Sequence, residues 1–212
     1  TYCARCFAIF ILLVQPAFAG KVNGTLSSRL DFYPDHSKGT ASEGRSAEVK
    51  IDAFHDFDES RIVGELIFRW DEKDSGRRIT EARQAYFRSP FAGFDFFVGN
   101  RQEFWGKAES KNVVDLINQS DAAANDGKSG KLGAPSISAE RYLDVGNLQL
   151  WYISNFREKT FNDSDAHPSN GVPVSFAQYA RTDGKDADDF AARFSIFAGD
   201  WDLAASVFYG TA

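Results

Sequence analysis

The stretch that decides the fold reads Lys21-Val-Asn-Gly-Thr-Leu-Ser-Ser-Arg-Leu-Asp-Phe32. One set of alternate positions is Val, Gly, Leu, Ser, Leu and Phe, and the other is Lys, Asn, Thr, Ser, Arg and Asp. Because successive side chains of a β-strand point to opposite faces, this alternation predicts a strand with one apolar and one polar face.

The same alternation recurs along the rest of the chain. It is clear at 47–54, 62–70, 93–101, 148–157, 190–196 and 201–209. Segments 78–88 and 136–144 also have strand composition, but the sequence alone does not fix which of their residues share a face. The total is about nine strands, each near the length of ~9–11 residues that crosses a bilayer at a tilt.

The predicted connections alternate between long and short ones. The long ones are 34–45, 71–77, 105–135 and 158–189, and the short ones are 56–60, 89–92, 144–147 and 199–200. Outer-membrane barrels have this asymmetry, with short turns at one end and long loops at the other. The expected fold is therefore all-β, an antiparallel up-and-down transmembrane β-barrel.

The N-terminus has the features of a secretory signal peptide. An apolar run from Cys6 to Val14 is too short to span a bilayer, and Ala17-Phe18-Ala19 fits a signal-peptidase site. We therefore expect residues 1–19 to be a signal peptide and residues 20–212 to be the N-terminal part of an outer-membrane barrel. Closed single-chain barrels use even strand numbers, so about nine strands predict an incomplete barrel.

Composition argues against several classes of function. Both cysteines lie in the predicted signal peptide, and the net charge of −6 gives no basic field for nucleic acid. The three histidines have no metal-ligand spacing, and the sequence contains neither Gly-x-Ser-x-Gly nor His-Glu-x-x-His. We expect a protein that is not an enzyme, with no cofactor and no metal site, and that does not bind nucleic acid.

The polar sets of the strands give candidate pore-lining residues. Charged side chains on an inner wall determine which ions a channel prefers. The candidates for the lining and the constriction are Arg101, Asp95, Arg69, Glu65, Lys50, Arg29 and Arg193. Among all the predicted inward-facing charges, which also include Arg157, Glu48 and Asp52, cations slightly outnumber anions, which weakly favours anionic or sugar-like solutes.

One motif marks the start of the long predicted connection 105–135. It reads Gly99-Asn-Arg-Gln-Glu-Phe-Trp105-Gly-Lys-Ala108 and continues into Asp115-Leu-Ile-Asn118 and Asp121. The loop 105–135 is too long for a simple turn, and such loops are often functional. We consider two arrangements, a loop folded into the lumen and a loop facing solvent. In the first, Trp105, Asp115, Asn118 and Asp121 belong to a constriction loop anchored by Val113, Val114, Leu116 and Ile117.

This motif and the strand rhythm resemble a loose group of proteobacterial outer-membrane barrels, the porin-like and alginate-export-like families. Gln119 departs from the group, which often carries Pro after the Asn. The resemblance covers about 25 residues and implies a location in the outer membrane of a Gram-negative bacterium. The partners it implies are membrane lipid, small solutes and, in some relatives, further copies of the chain.

Three functions follow as hypotheses. The first is a porin-like channel through which small anionic or sugar-like solutes diffuse. The second is a barrel that exports or imports a hydrophobic or polymeric substrate with partner proteins. The third, from another class, is a secreted β-sandwich that binds carbohydrate through its aromatic side chains.

Overall fold

The computed structural model describes residues 5–12, 20–32, 43–106, 114–124, 130–163, 177–179, 182 and 184–211. Within these ranges the fold is all-β, as predicted, with three short 3-10 turns and no α-helix. The strands are β1 Arg5–Leu12, β2 Gly20–Phe32, β3 Glu43–Phe57, β4 Ser60–Asp71, β5 Ile79–Phe91, β6 Phe94–Arg101, β7 Ser120–Asp121, β8 Gly130–Lys131, β9 Ala134–Leu143, β10 Gly146–Ile153, β11 Asp189–Ala198 and β12 Trp201–Tyr209. None of the helical segments in these ranges has the length and hydropathy needed to cross a membrane.

Ten of the strands form one antiparallel sheet in the order β1-β2-β3-β4-β5-β6-β9-β10-β11-β12. All but β1 lie in residues 20–212, so the nine strands predicted there are confirmed. Strands β7 and β8 form a separate two-stranded ribbon within the connection from β6 to β9. The sheet is open, with β1 and β12 as its edges, and the predicted closure into a barrel is not observed.

Strand β1 occupies part of the predicted signal peptide. It pairs antiparallel with β2, from Arg5 opposite Asp31 to Leu12 opposite Gly24. An apolar segment beside an exposed sheet edge satisfies its own backbone groups by adding a strand there. The predicted cleavage motif at 17–19 lies outside the described residues, and removal of residues 1–19 stays a prediction.

The alternation of side chains stays in phase across the sheet. One row joins five strands through Asp95, Glu140, Gln149, Arg193 and Ser206. The next row joins the same strands through Phe96, Ala139, Leu150, Ala192 and Val207. Since residues directly opposite each other share a face, the sheet has a "polar face" containing the first row and an "apolar face" containing the second.

Burial on the two faces is the reverse of that in a water-soluble sheet, where the apolar side is covered. On the polar face, charged and polar side chains are buried, among them Arg29, Asp31, Arg69, Ser138, Glu140 and Gln149. On the apolar face, large side chains are exposed, among them Leu26, Phe68, Trp70, Leu150, Phe190 and Val207. The described parts of the connections 72–78, 102–133 and 154–163 lie over the polar face.

The predicted alternation of connections is confirmed. Two-residue turns at 58–59, 92–93, 144–145 and 199–200 join strands at one end of the sheet, called here the turn end. Connections 33–42, 72–78, 102–133 and 154–188 lie at the other end. The turn Ala92-Gly93 has φ of 50° and 79°, the positive values that tight hairpins need to match strand twist.

Strand β10 is shorter than predicted. The alternation suggested a strand to 157, but β10 ends at Ile153 and Asn155 has a φ of 68°. A left-handed residue cannot continue a strand, and asparagine adopts this conformation more readily than most residues. Arg157, an inward-facing residue in the sequence prediction, therefore lies in a connection.

Gly99 is required by the fold, and its replacement gives a first testable prediction. Its φ is +126°, and a Cβ atom there would lie 2.2 Å from the carbonyl oxygen of Ala85 on β5. Gly99→Ala is expected to lower the free energy of unfolding by about 1–3 kcal/mol because of this strained conformation and the clash. Gly64→Ala is the matched control, since a Cβ at Gly64 would meet nothing within 4 Å. Urea unfolding in detergent checks both; equal effects of the two substitutions would contradict the prediction.

Candidate functional site

All seven predicted lining residues lie on the polar face. The register places Arg29, Lys50, Glu65, Arg69, Asp95, Arg101 and Arg193 on the same side of the sheet. Six of them are in ion pairs: Arg29 with Asp31 at 2.7 Å, Lys50 with Glu65 at 3.1 Å, Arg69 with Asp121 at 2.8 Å, Asp95 with Arg88 at 2.8 Å, and Arg101 with Glu103 at 2.9 Å. The predicted cationic excess is thus largely neutralised within the protein.

Arg101 contacts charged, polar and aromatic side chains on several sides. It pairs with Glu103 and Glu140 and donates a hydrogen bond to the hydroxyl of Ser138 at 3.0 Å. Its guanidinium carbon lies 3.7 Å from the ring centroid of Phe97 and 4.8 Å from that of Trp151. With two carboxylates and two aromatic faces around it, Arg101 ties β6 to β9 and to the connection 102–133.

The connection 102–133 lies against the polar face. Trp105, Ile117 and Leu132 are buried, and Trp105 and Ile117 join Ala134, Trp151, Ile153 and Ala191 in an apolar cluster on this face. Val114 and Leu116 are exposed, so two of the predicted anchoring residues do not anchor the loop. Val113 lies outside the described residues. The anchor consists of Ile117 and, from the start of the loop, Trp105.

Asp115 and Asn118 hold the two limbs of this connection together. Asp115 accepts a hydrogen bond from the Gly106 amide at 2.8 Å and pairs with Lys131 at 3.0 Å. Asn118 accepts from the Glu103 amide at 2.6 Å and donates to the carbonyls of Arg101 and Leu132 at 2.8 and 3.1 Å. Burial lowers the pKa of Lys131 and outweighs the opposing effect of Asp115.

Asp121 binds the connection to the strands. Its carboxylate accepts from Arg69 of β4 at 2.8 Å, from Arg83 of β5 at 3.2 Å and from the hydroxyl of Thr160 at 2.6 Å. Burial alone would raise the pKa of Asp121, but Thr160 and the two arginines outweigh it, and the pKa lies below its ordinary value. This fully buried carboxylate accepts hydrogen bonds from three donors and so links three segments of the chain.

A second set of hydrogen bonds joins the connections 72–78 and 154–163. Asp163 accepts from the amide and the hydroxyl of Ser75 at 2.8 and 2.6 Å. Asp74 accepts from the side chain of Asn162 at 2.7 Å. Arg77 reaches across to the carbonyl of Ala123 at 3.0 Å and pairs with Asp71 at 2.9 Å. Together these bonds assemble three long connections into one polar layer above the sheet.

Glu103 gives a testable pH dependence. Burial raises its pKa above the ordinary value, against the opposing charge of Arg101. A carboxyl with a raised pKa binds its proton more tightly in the folded state, so stability falls as pH rises from the unfolded pKa, about 4.3, through the folded pKa. Glu103→Gln is expected to remove this decline and to be at least as stable as the wild type at neutral pH, since Glu140 still pairs with Arg101. Unfolding free energies measured across this pH range check it; a clear loss of stability at neutral pH would contradict it.

A cavity of about 330 Å³ lies on the polar face between the start of the connection 102–133 and the turn end of β9–β12. Its charged lining residues are Glu103, Asp144, Arg193 and Asp202. Its uncharged lining residues are Phe104, Trp105, Tyr142, Leu143, Gly146, Asn147, Gln149, Ser195 and Phe197. Arg193 donates to the carbonyl of Trp105 at 2.6 Å and so lies where the connection meets the cavity.

Several residues of this layer did not emerge from the sequence as site residues. Glu140, the partner of Arg101, belongs to a strand whose register the sequence left open. Arg83 reaches Asp121 because β5 has a bulge, with the register shifting between Glu65 and Leu66 of the facing strand. Asp31 lies in the polar set of the first alternating stretch, so this signal could have identified it.

Among the described residues, no group of three His, Cys, Asp or Glu side chains is placed to hold a metal ion. Comparison with known proteins found no matching family model and no significantly similar chain among curated proteins or solved structures. The sheet and the polar layer on one side of it are therefore the features from which function is inferred.

Proposed function

We propose that this chain is part of an outer-membrane β-barrel of a Gram-negative bacterium that acts as a porin-like channel for small solutes. The observation that carries the proposal is the distribution of side chains on the sheet. The apolar face is uncovered while the polar face carries ion pairs and folded connections. An outward apolar band with a polar interior is the pattern of membrane barrels.

Charge is nearly absent from the apolar face. In β2–β6 and β9–β12, its charged positions are Glu43 and Arg45 at the start of β3 and Arg141 near the end of β9. All three lie toward strand ends. Arginine or lysine at the bilayer midplane costs about 2–4 kcal/mol but little near the interfaces, so the distribution fits a bilayer.

Exposed aromatic side chains mark both ends of the apolar face. Those toward the turn end include Phe57, Phe91 and Trp201, and those toward the other end include Phe32, Trp70, Phe190 and Tyr209. Trp201 and Tyr209 bound β12, a span of about 26 Å along the strand at ~3.3 Å per residue. At the tilt of about 35–45° usual in membrane barrels, this span covers about 19–22 Å across the bilayer, close to the apolar band of about 25 Å.

The alternative of a secreted β-sandwich lacks such support. A sandwich covers the apolar side of one sheet with a second sheet. The described residues form one large sheet and the ribbon β7–β8, which belongs to the connection on the polar face. The exposed apolar side chains are better matched to lipid hydrocarbon than to carbohydrate.

One observation favours the second channel-like alternative, a plugged barrel that works with partners. The connection 102–133 contributes Asp121 and Leu132, which are 1% and 0% exposed. So closely packed a loop can narrow a pore to the point of blocking diffusion. The two candidates share a membrane location and differ in whether the isolated protein conducts ions.

Single-channel recording tests the proposal. The full-length protein that contains this chain is refolded in detergent and added to a planar bilayer, with heat-denatured protein in the same detergent as the control. We expect stable steps of conductance from the refolded sample and none from the control. A folded, membrane-inserted but silent protein would favour the partner-driven barrel, and a protein that stays in the aqueous phase would contradict both.

A further inference from the structure

From the ion pairs of the polar face we infer that Arg193, and not Arg101, is the residue that discriminates between anions and cations in the proposed channel. This inference rests on the proposed function and names a specificity-determining residue within it. The chemical class concerned is small anions, inorganic or carboxylate. Arg193 would attract them at the point where the connection 102–133 meets the cavity below it.

The other predicted lining cations are already paired with carboxylates. Arg29, Lys50, Arg69 and Arg101 each lie within 3.1 Å of a carboxylate oxygen. An ion pair presents little net charge to a passing solute because the two fields cancel at distances beyond the pair. The side chains of Arg69 and Arg101 are also 3% and 11% exposed, which removes them from contact with solute.

Arg193 differs from these cations in the groups that it contacts. Within the described part of the chain, Arg193 forms no ion pair, and its hydrogen bond goes to the main-chain carbonyl of Trp105 at 2.6 Å. Its guanidinium carbon lies 5.7 Å from the ring centroid of Trp105. A carbonyl fixes the direction of a guanidinium without neutralising it, and the remaining N–H groups can bind an anion. Arg193 is half-buried and lines the cavity.

Three carboxylates line the same cavity as Arg193. Glu103 is already paired with Arg101 at 2.9 Å. Asp144 lies in the turn between β9 and β10, and Asp202 is the second residue of β12, so both are at the turn end. Arg193 lies five residues from the end of β11, deeper on the polar face. Asp144 and Asp202 are therefore at the turn end of the cavity, and the guanidinium of Arg193 lies where the connection 102–133 meets it.

Loss of each arginine then has a different consequence. Removing Arg101 leaves Glu103 without its cation, and Glu103, whose pKa burial already raises, then takes up a proton more readily. That uptake restores part of the lost charge. Removing Arg193 leaves no paired carboxylate to protonate, so the full unit charge disappears from the cavity. The selectivity of the channel should depend on Arg193 accordingly.

The test is the ratio of chloride to potassium permeability, taken from reversal potentials across a bilayer with a salt gradient. Arg193→Gln is expected to lower the ratio about fivefold, the effect of one unit charge at close range in water. Arg193→Lys should keep it. Arg141→Gln is the matched control, because it removes the same charge from the apolar face of β9.

A second variant covers a failure of Arg193→Gln to fold, which heat-modifiable migration on a gel reveals. Ser195→Glu places a carboxylate on the same face of β11 and in the same cavity, and should lower the ratio similarly. Open channels with an unchanged ratio in the folded Arg193→Gln or Ser195→Glu variant would overturn the inference and leave the proposed function intact. Absence of channels in the wild type would overturn both.

Discussion

Replacing Asp121 by alanine is expected to lower the free energy of unfolding by about 3–5 kcal/mol, the usual effect of breaking a buried ion pair from one side. The side chains of Asp121 and Arg69 are 0% and 3% exposed. Without the carboxylate, Arg69 and Arg83 would remain close together and lose the anion they share. The bond from Thr160 is lost as well, so the part of the connection 102–133 around Asp121 should loosen from the strands and from the connection 154–163.

Urea unfolding of the detergent-folded protein measures this effect. Asp56→Ala is the matched control, since Asp56 also pairs with an arginine of β4, Arg61, at an exposed position near the turn end. Water and salt screen exposed pairs, so this change should leave stability nearly unaltered. If Asp121→Ala were no more destabilising than Asp56→Ala, Asp121 would not be the tie between loop and strands. Release of the loop should also increase single-channel conductance.

The second large effect is expected on the apolar face. Leu150 lies in the middle of β10 and is 42% exposed, while Leu143 ends β9 and is 41% exposed. Leu150→Arg should make folding into a bilayer less favourable by about 2–4 kcal/mol, and Leu143→Arg by about 0–1 kcal/mol, because an arginine near the interface reaches water. In a water-soluble sheet, two leucines of equal exposure would respond alike.

Folding into phosphatidylcholine vesicles, followed against urea concentration, gives both values. A difference between the two leucine variants supports the bilayer location without reference to transport. Equal and small effects of Leu150→Arg and Leu143→Arg would mean that water, and not hydrocarbon, surrounds the apolar face.

Much of the sheet could be predicted because its information is local. Alternation within stretches such as Lys21–Phe32 determines which residues share a face, and connection lengths determine which strands are neighbours. The seven predicted lining residues share the polar face for this reason. The end of β10 was missed because Asn155 adopts a left-handed conformation, which alternation does not reveal.

The ion pairs Arg101–Glu140 and Arg69–Asp121 could not be predicted because each joins residues far apart in the chain. Arg101 of β6 meets Glu140 of β9 on the far side of the connection 102–133. Arg69 of β4 meets Asp121, which lies within that connection. A list of inward-facing charges therefore suggested a cationic lining that these partners largely neutralise. Arg193 stood out only when the partner of every other candidate was known.

The apolar face of the sheet is proposed to lie in lipid, and a cysteine scan of β12 tests this placement. Both faces of this strand are exposed from Trp201 to Val207, so a label fits at each position. Cys3 and Cys6 are first replaced by serine, and a fluorophore is then attached at 203, 204, 205, 206 or 207 in protein folded into vesicles. We predict that a lipid-soluble quencher acts strongly at 203, 205 and 207 and weakly at 204 and 206. Quenching without this alternation, or equal access of a water-soluble quencher to all five positions, would mean that the apolar face does not lie in lipid.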